Sequence, residues 1–422
     1  MTNENTKPND LLLSEFPAPV QDSLTQIWDA VPPARRSELQ PILNQLPGSL
    51  DPLKRILDFV LEQYKPVFGA KQHIAIVGPA NVGKSTLYNQ LITSKEDRAE
   101  VGPVPGTTRQ NQAADTGLFV VVDTPGADAV GEVGDRERAI AFEAARQADF
   151  LVIMFEAIRG VRRHEQELFL ALESLEKPFI VLLNKMDLID KKQRQAVLDS
   201  AAENLGLLPN QVIDVVALDG THVERVILAI VKSDPELLAA IAEAFPEYRV
   251  KLCWQRIVPA ASAAGVVGLI PLPMVDLLPL LGIQTGLVLS IARIYGFKIT
   301  AARAKELIAT FGIGMIGRTI YGQLSKVLGV PGWVLSASIA ASTTVVIGYA
   351  AMIWFSRGER PSQQALRKMV AELSVHLRDS LVGLGKKRPD RVTLRQRISQ
   401  ALQDLPDPGQ PVTEEGEGPA RE

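Results

Sequence analysis

The eight residues Gly78-Pro79-Ala80-Asn81-Val82-Gly83-Lys84-Ser85 constrain the fold of this 422-residue chain more than any other stretch. They match G-x-x-x-x-G-K-[ST], and the apolar run His73-Ile74-Ala75-Ile76-Val77 leads into them. The pattern predicts a buried strand that ends here, a tight glycine-bearing loop, and a helix from about Lys84. Backbone N–H groups in such a loop converge on a phosphate, and the helix N-terminus adds a favourable dipole. Lys84 is expected at the β- and γ-phosphates and the Ser85 hydroxyl on Mg²⁺. Gly78, Asn81, Val82, Gly83, Lys84, Ser85 and Thr86 make up this phosphate-binding set. A functionless glycine-rich turn would match the bare pattern now and then. The strand before it and three motifs after it argue against that.

Apolar runs alternate with helical patterns from about Lys71 to Ser233, the signature of a parallel sheet covered by helices. Strands are predicted at His73–Val77, Leu118–Val122, Phe150–Phe155, Pro178–Leu183 and Val212–Val216, with Gln112–Asp115 as an antiparallel edge. Helices are predicted over Lys84–Ile92, Asp135–Gln147, His164–Leu175, Gln193–Leu205 and Val223–Lys232. Asp123-Thr124-Pro125-Gly126 follows the second of these strands. An Asp at a strand's C-terminal end can hold Mg²⁺ through water, while the Gly126 amide can meet the γ-phosphate. Asn184-Lys185-Met186-Asp187 ends a further apolar strand, 61 residues beyond Asp123. Asp187 can accept hydrogen bonds from N1–H and the exocyclic amine of guanine, Asn184 can bond N7, and Lys185 can lie along the ring. Adenine offers no donor at those two positions, and a site built this way discriminates by roughly 10⁴ or more. The ligands read from the residues are therefore GTP and GDP, with Mg²⁺. Between the first two motifs, Pro105-Gly106-Thr107-Thr108-Arg109 lies in a polar loop. Thr108 is the residue assigned to close over Mg²⁺ and the γ-phosphate, with Thr107 beside it as the alternative.

Together these pieces resemble the TrmE–Era–EngA group of translation-factor-related GTPases. That group joins Pro-x-x-Thr-Arg, Asp-Thr-Pro-Gly and Asn-Lys-x-Asp to a loop of the form Gly-x-Pro-Asn-x-Gly-Lys-Ser. Here the loop proline stands one place early, at Pro79, while Asn81 keeps its position. Val216-Ala217-Leu218 stands where the group has Ser-Ala-Lys or Ser-Ala-Leu, so the resemblance implies that the Ala217 amide touches the base oxygen and Leu218 flanks it. It implies an α/β P-loop GTPase domain with a mostly parallel, doubly wound sheet. It also implies slow hydrolysis of GTP to GDP and phosphate, with Lys84, Asn81, Thr108 and Gly126 as the catalytic set. Ser85, Thr108 and Asp123 would serve Mg²⁺. The place of the water-positioning glutamine of Ras-like enzymes holds Ala127, which cannot orient water. In some relatives K⁺, held partly by the loop asparagine, and a G-domain homodimer supply that help. Asn81 either serves K⁺ or braces the loop. Glu132, Asp135, Arg136 and Glu137 either act in trans from a mobile loop or form a solvated face.

Composition sets this domain apart from the C-terminal third of the chain. The whole sequence is 46% hydrophobic and 22% charged, an ordinary globular average, yet its apolar residues crowd between 257 and 356. Between Arg256 and Arg293 the one formal charge is Asp276, and between Lys326 and Arg357 there is none. Both runs exceed the ~20 residues of a membrane span, though Pro271, Pro273 and Pro279 cut the first into pieces suited to a helical hairpin. Positive charge flanks each run, including Lys386-Lys387-Arg388, which places both ends on the cytoplasmic side or in the interface. The alternative is a tightly packed water-soluble helical core. Gly265–Ala292 and Ile313–Tyr349 resemble a C-terminal domain of uncharacterised function fused to GTPases in cyanobacteria and other bacteria, related to an inner-membrane protein family. Net charge is −3, which gives no pull toward nucleic acid, and the single cysteine, Cys253, excludes an internal disulfide.

The organisation expected is a helical extension over 1–70, partly disordered, a GTPase domain over 71–235, an apolar all-α domain over 236–405, and a disordered acidic tail over 406–422. The function expected is a nucleotide switch at the cytoplasmic face of an inner or thylakoid-type membrane, with membrane lipid as partner. The alternative is a soluble cytoplasmic GTPase of ribosome or tRNA maturation.

Overall fold

In a computed structural model of the chain, the described residues are 71, 73–91, 112–113, 118–124, 132–269, 277–297, 330–358, 361–385 and 387–403. Expectations for 1–70, for Thr107, Thr108 and Gly126, and for the tail lie outside them. The chain divides into two compact units, one spanning 68–248 and one whose described residues begin at Arg249.

In the first unit, β1 (Ile74–Pro79), β3 (Phe119–Thr124), β4 (Phe150–Glu156), β5 (Phe179–Asn184) and β6 (Val212–Asp214) are parallel. The short β2 (Gln112–Ala113) pairs antiparallel on the edge of β3, giving the order β2-β3-β1-β4-β5-β6. Every residue of β4 is buried, so the sheet needs cover on both faces. Helices α1 (Lys84–Leu91), α2 (Glu132–Gln147), α3 (Arg163–Glu173), α4 (Arg194–Leu205) and α5 (Val223–Ser233) follow the strands in turn and supply it. One core gathers Leu151, Ile153, Phe155 and Leu183 from the sheet with Ala145, Phe169 and Ala202 from the helices over that face. The ring of Phe169 meets Phe179 edge-on at 5.5 Å. Strand order turns back at β1, which has β3 on one side and β4 on the other. In open α/β sheets the crevice beyond the strand ends at such a point is where ligands bind. The glycine loop opens there.

Two differences from expectation have simple causes. Helix α2 starts at Glu132, so Glu132, Asp135, Arg136 and Glu137 stand in its first turns rather than in a loop. The unit also runs to Tyr248, past the expected close at 235. Phe245, at the end of α6 (Leu238–Ala244), packs edge-on against Phe119 of β3 at 6.0 Å. Lys71 and Asp234 form an ion pair of 2.7 Å that ties the residues before β1 to those after α5.

The second unit contains α7 (Arg249–Val267), α8 (Leu277–Ile294), α9 (Gly332–Arg357), α10 (Gln363–Val382) and α11 (Arg391–Gln403). Helix α9 is its centre, packed on α7, α8 and α10. Pro279 sits in the first turn of α8, where a missing N–H costs nothing. Three buried hydroxyls of α9 bond within their own helix: Ser338 to Val334 O at 2.7 Å, Ser342 to Ser338 O at 2.7 Å, Thr344 to Ala340 O at 2.8 Å. Small residues let the helices approach. A β-carbon on Gly268 would lie 2.8 Å from Ser336 O, and one on Gly348 would lie 2.6 Å from Ile257 Cγ1. Gly348→Val should therefore destabilise the unit by ~1–3 kcal/mol through overpacking. Earlier thermal loss of helical circular dichroism measures it, and an unchanged melt would contradict the packing. Helix α9 is long and apolar enough to cross a membrane, and most of it is buried among the other helices.

Candidate nucleotide site

The glycine loop follows β1 because Gly78 and Gly83 are the residue type the geometry accepts. A β-carbon on Gly78 would stand 2.1 Å from the backbone O of Met154 in β4. Gly83 has φ +99° and a β-carbon there would stand 2.3 Å from Asn184 Nδ2. Asn81 also takes the left-handed conformation, φ 64°. Lys84 is buried at the start of α1, and its ammonium donates to Gly78 O at 2.8 Å and Pro79 O at 2.6 Å. The charge is thus tethered at the root of the loop. Ser85 and Thr86 are half-buried in the first turn of the same helix.

Asp123 is brought to the loop by strand register: it stands opposite Gly78, and Thr124 opposite Pro79. Ser85 and Asp123 therefore lie at the same end of neighbouring elements, and both offer oxygen, the donor Mg²⁺ takes. That fits the expected metal.

Asn184 ends β5 and is 3% exposed. Its Nδ2 donates to Val82 O at 2.8 Å, and its Oδ1 accepts from the Ala217 N–H at 2.9 Å. One carboxamide thus joins the phosphate loop to the loop after β6. The Ala217 amide, expected on the base oxygen, is bonded to Asn184 here, because the carboxamide oxygen comes within hydrogen-bond reach. Lys185 is held in the left-handed region (φ 63°) and its ammonium donates to Asn81 O at 2.7 Å. Asp187 is exposed in the single turn Met186–Leu188. Leu218 is 77% exposed, and its carbonyl accepts from Gln90 Nε2 of α1 at 3.2 Å.

The sequence reading missed Glu156. It ends β4, in register with Asn184. Its carboxylate, 10% exposed, accepts from Lys185 Nζ at 2.5 Å and pairs with Arg159 Nε at 2.9 Å. The signal was its position. An acid closing an apolar strand stands at the same sheet edge as Asp123 and Asn184.

A family model described as 50S ribosome-binding GTPase matches residues 73–185. Residues 73–185 are thus similar to a GTPase domain, in line with the resemblance to the TrmE–Era–EngA group. A second model, described as a domain of unknown function (DUF697), matches residues 254–379 in the helical unit. Among curated relatives, GTPase Der of Thermotoga neapolitana is 34% identical over 140 residues, covering 31% of this chain and 31% of that protein. The tRNA modification GTPase MnmE of Trichormus variabilis is 39% identical over 127 residues, covering 28% of this chain and 26% of that protein. The chain thus spans about a third of the length of the curated relatives it matches. A crystal structure of a variant of Aquifex aeolicus Era bound to GDP and aluminium fluoride matches at 28% identity with a TM-score of 0.33, covering 39% of this chain and 56% of that one.

Proposed function

We propose that the protein binds GTP with Mg²⁺, hydrolyses it slowly to GDP and phosphate, and acts as a nucleotide switch whose helical unit works at a membrane. The observation that carries the nucleotide half is the Asn184 bridge, which holds phosphate loop and base loop in one pocket. The loop amides and Lys84 bind the β- and γ-phosphates and balance the charge that grows as the terminal phosphoryl departs. Ser85, Asp123 and Thr108 hold Mg²⁺, which supplies charge neutralisation when bound. Asp187 reads the two guanine N–H groups, and the stem of Lys185 and Leu218 flank the ring. Ala127 cannot position water, so turnover depends on help from elsewhere. K⁺ near Asn81, or a second G domain, fills that role in this reading. Turnover should then rise severalfold when Na⁺ is replaced by K⁺ at fixed ionic strength. Equal phosphate release in the two salts would remove the cation.

Support for membrane action is the apolar length of α9, the bonding of its Ser338, Ser342 and Thr344 hydroxyls within the helix, and the small residues between helices. Burial of α9 is compatible with contact made by the unit as a whole. A second reading, ribosome or tRNA maturation in the cytoplasm, is favoured by the family description of residues 73–185 and by the relative named as a tRNA modification GTPase. Flotation with anionic liposomes in GTP, GDP or no nucleotide separates them. The membrane reading expects protein in the lipid fraction under at least one of these conditions, and protein left at the bottom in all three supports the second reading.

A further inference from the structure

We propose that Glu156 is a positioning residue for guanine-nucleotide binding, whose buried carboxylate clamps the Lys185 ammonium so that the lysine stem forms a fixed wall of the base pocket. This rests on the GTP-binding reading and adds a residue outside its motifs. Lysine carries its charge on a flexible four-carbon stem, with three donors on the ammonium. At Lys185 two of those donors have named acceptors, Asn81 O at 2.7 Å and Glu156 Oε2 at 2.5 Å. The amine is therefore held between the phosphate loop and β4, and the stem between it and the backbone has little freedom left to lose when a ring docks on it.

The carboxylate is arranged for that task. Its two oxygens have separate cations, Oε2 with Lys185 and Oε1 with Arg159. Burying a charged carboxylate is costly unless it is paired. Joining β4 to β5 does not require it, since the two strands already pair from Leu151–Phe179 through Glu156–Asn184, and the Ala157 N–H continues to Asn184 O at 2.8 Å. The cation it holds belongs to the base-reading motif. That cation in turn holds Asn81, a loop residue in a left-handed conformation. Glu156 thus acts through Lys185 on both halves of the pocket, without touching nucleotide itself.

The test is release of a fluorescent GDP analogue from the full chain, followed by stopped flow after mixing with excess GDP. E156Q, which keeps shape and removes charge, should release it ~10-fold faster, the effect of weakening one charge-assisted hydrogen bond. In a K185M background, where the amine is gone and the stem remains, adding E156Q should change release by less than ~2-fold, because the two residues act as one unit. Equal acceleration in both backgrounds would show that Glu156 serves the fold alone and would overturn the proposal. So would an E156Q protein that releases as slowly as wild type. If E156Q does not fold, the E156Q/K185M double variant carries the test, since removing both charges leaves neither buried alone. It must then release at the K185M rate. A wild-type protein that holds no guanine nucleotide overturns the GTP reading as well. A wild type that holds it, with E156Q no faster, overturns the role of Glu156 alone.

Discussion

Asp187→Asn should weaken GTP binding by ~10³-fold or more while leaving the fold intact. The carboxylate offers two acceptors to the two N–H groups on the guanine edge, whereas an asparagine turns a donor toward one of them. That donor–donor contact leaves polar groups unpaired in a confined site, which costs more than the lost bond alone. Xanthosine triphosphate has a carbonyl where guanine has its amine. It should therefore bind the variant better than GTP does, reversing the wild-type preference. Asp187 is exposed in a one-turn segment, so thermal stability without nucleotide should shift by no more than ~0.5 kcal/mol. Calorimetric titration with both nucleotides reads the result. A variant that still prefers GTP would remove Asp187 from the base site.

Asn184→Ala should do damage of another kind. The side chain is 3% exposed and makes two bonds, to Val82 O and from the Ala217 N–H. Its loss leaves a buried carbonyl and a buried amide without that partner, at ~1–3 kcal/mol each. The two loops then close the pocket only when nucleotide holds them. GTP affinity should fall ~100-fold, equivalent to ~2.8 kcal/mol. The melting temperature of the nucleotide-free protein should fall too. That second loss separates the variants: Asp187 reads the ligand, and Asn184 builds the place where it is read. A melt like the wild type's would contradict the bridge.

The strands were legible because each is an apolar run ended by a polar or glycine residue at the same sheet edge: Gly78, Asp123, Glu156 and Asn184. The loop residues were legible for the same reason that Gly78 and Gly83 admit no β-carbon, since a motif is a record of close approach. Contacts across long sequence separation left no local trace. The Asn184 bridge to Ala217 depends on how β6 sits beside β5. The anchoring of Phe245 on Phe119 joins residues far apart in the chain, so composition alone placed the boundary too early. Glu156 was overlooked because a single acid at a strand end belongs to no motif; its position on the edge shared with Asp123 and Asn184 was the signal, and its pairing with Lys185 shows the use. The apolar run at α9 was legible as an unusual length of uncharged helix. Hydropathy cannot choose between lipid and protein neighbours, because both are apolar, and it is tertiary packing that buries most of α9 within its own unit.

The proposed function stands on a pocket that selects a guanine nucleotide. Competition for a fluorescent GDP analogue on the purified full chain tests it most directly. GTP and GDP should displace the analogue at low concentration, and ATP should not displace it at ~1,000-fold excess. Displacement by ATP as readily as by GTP, or failure to hold the analogue at all, would contradict the proposed function.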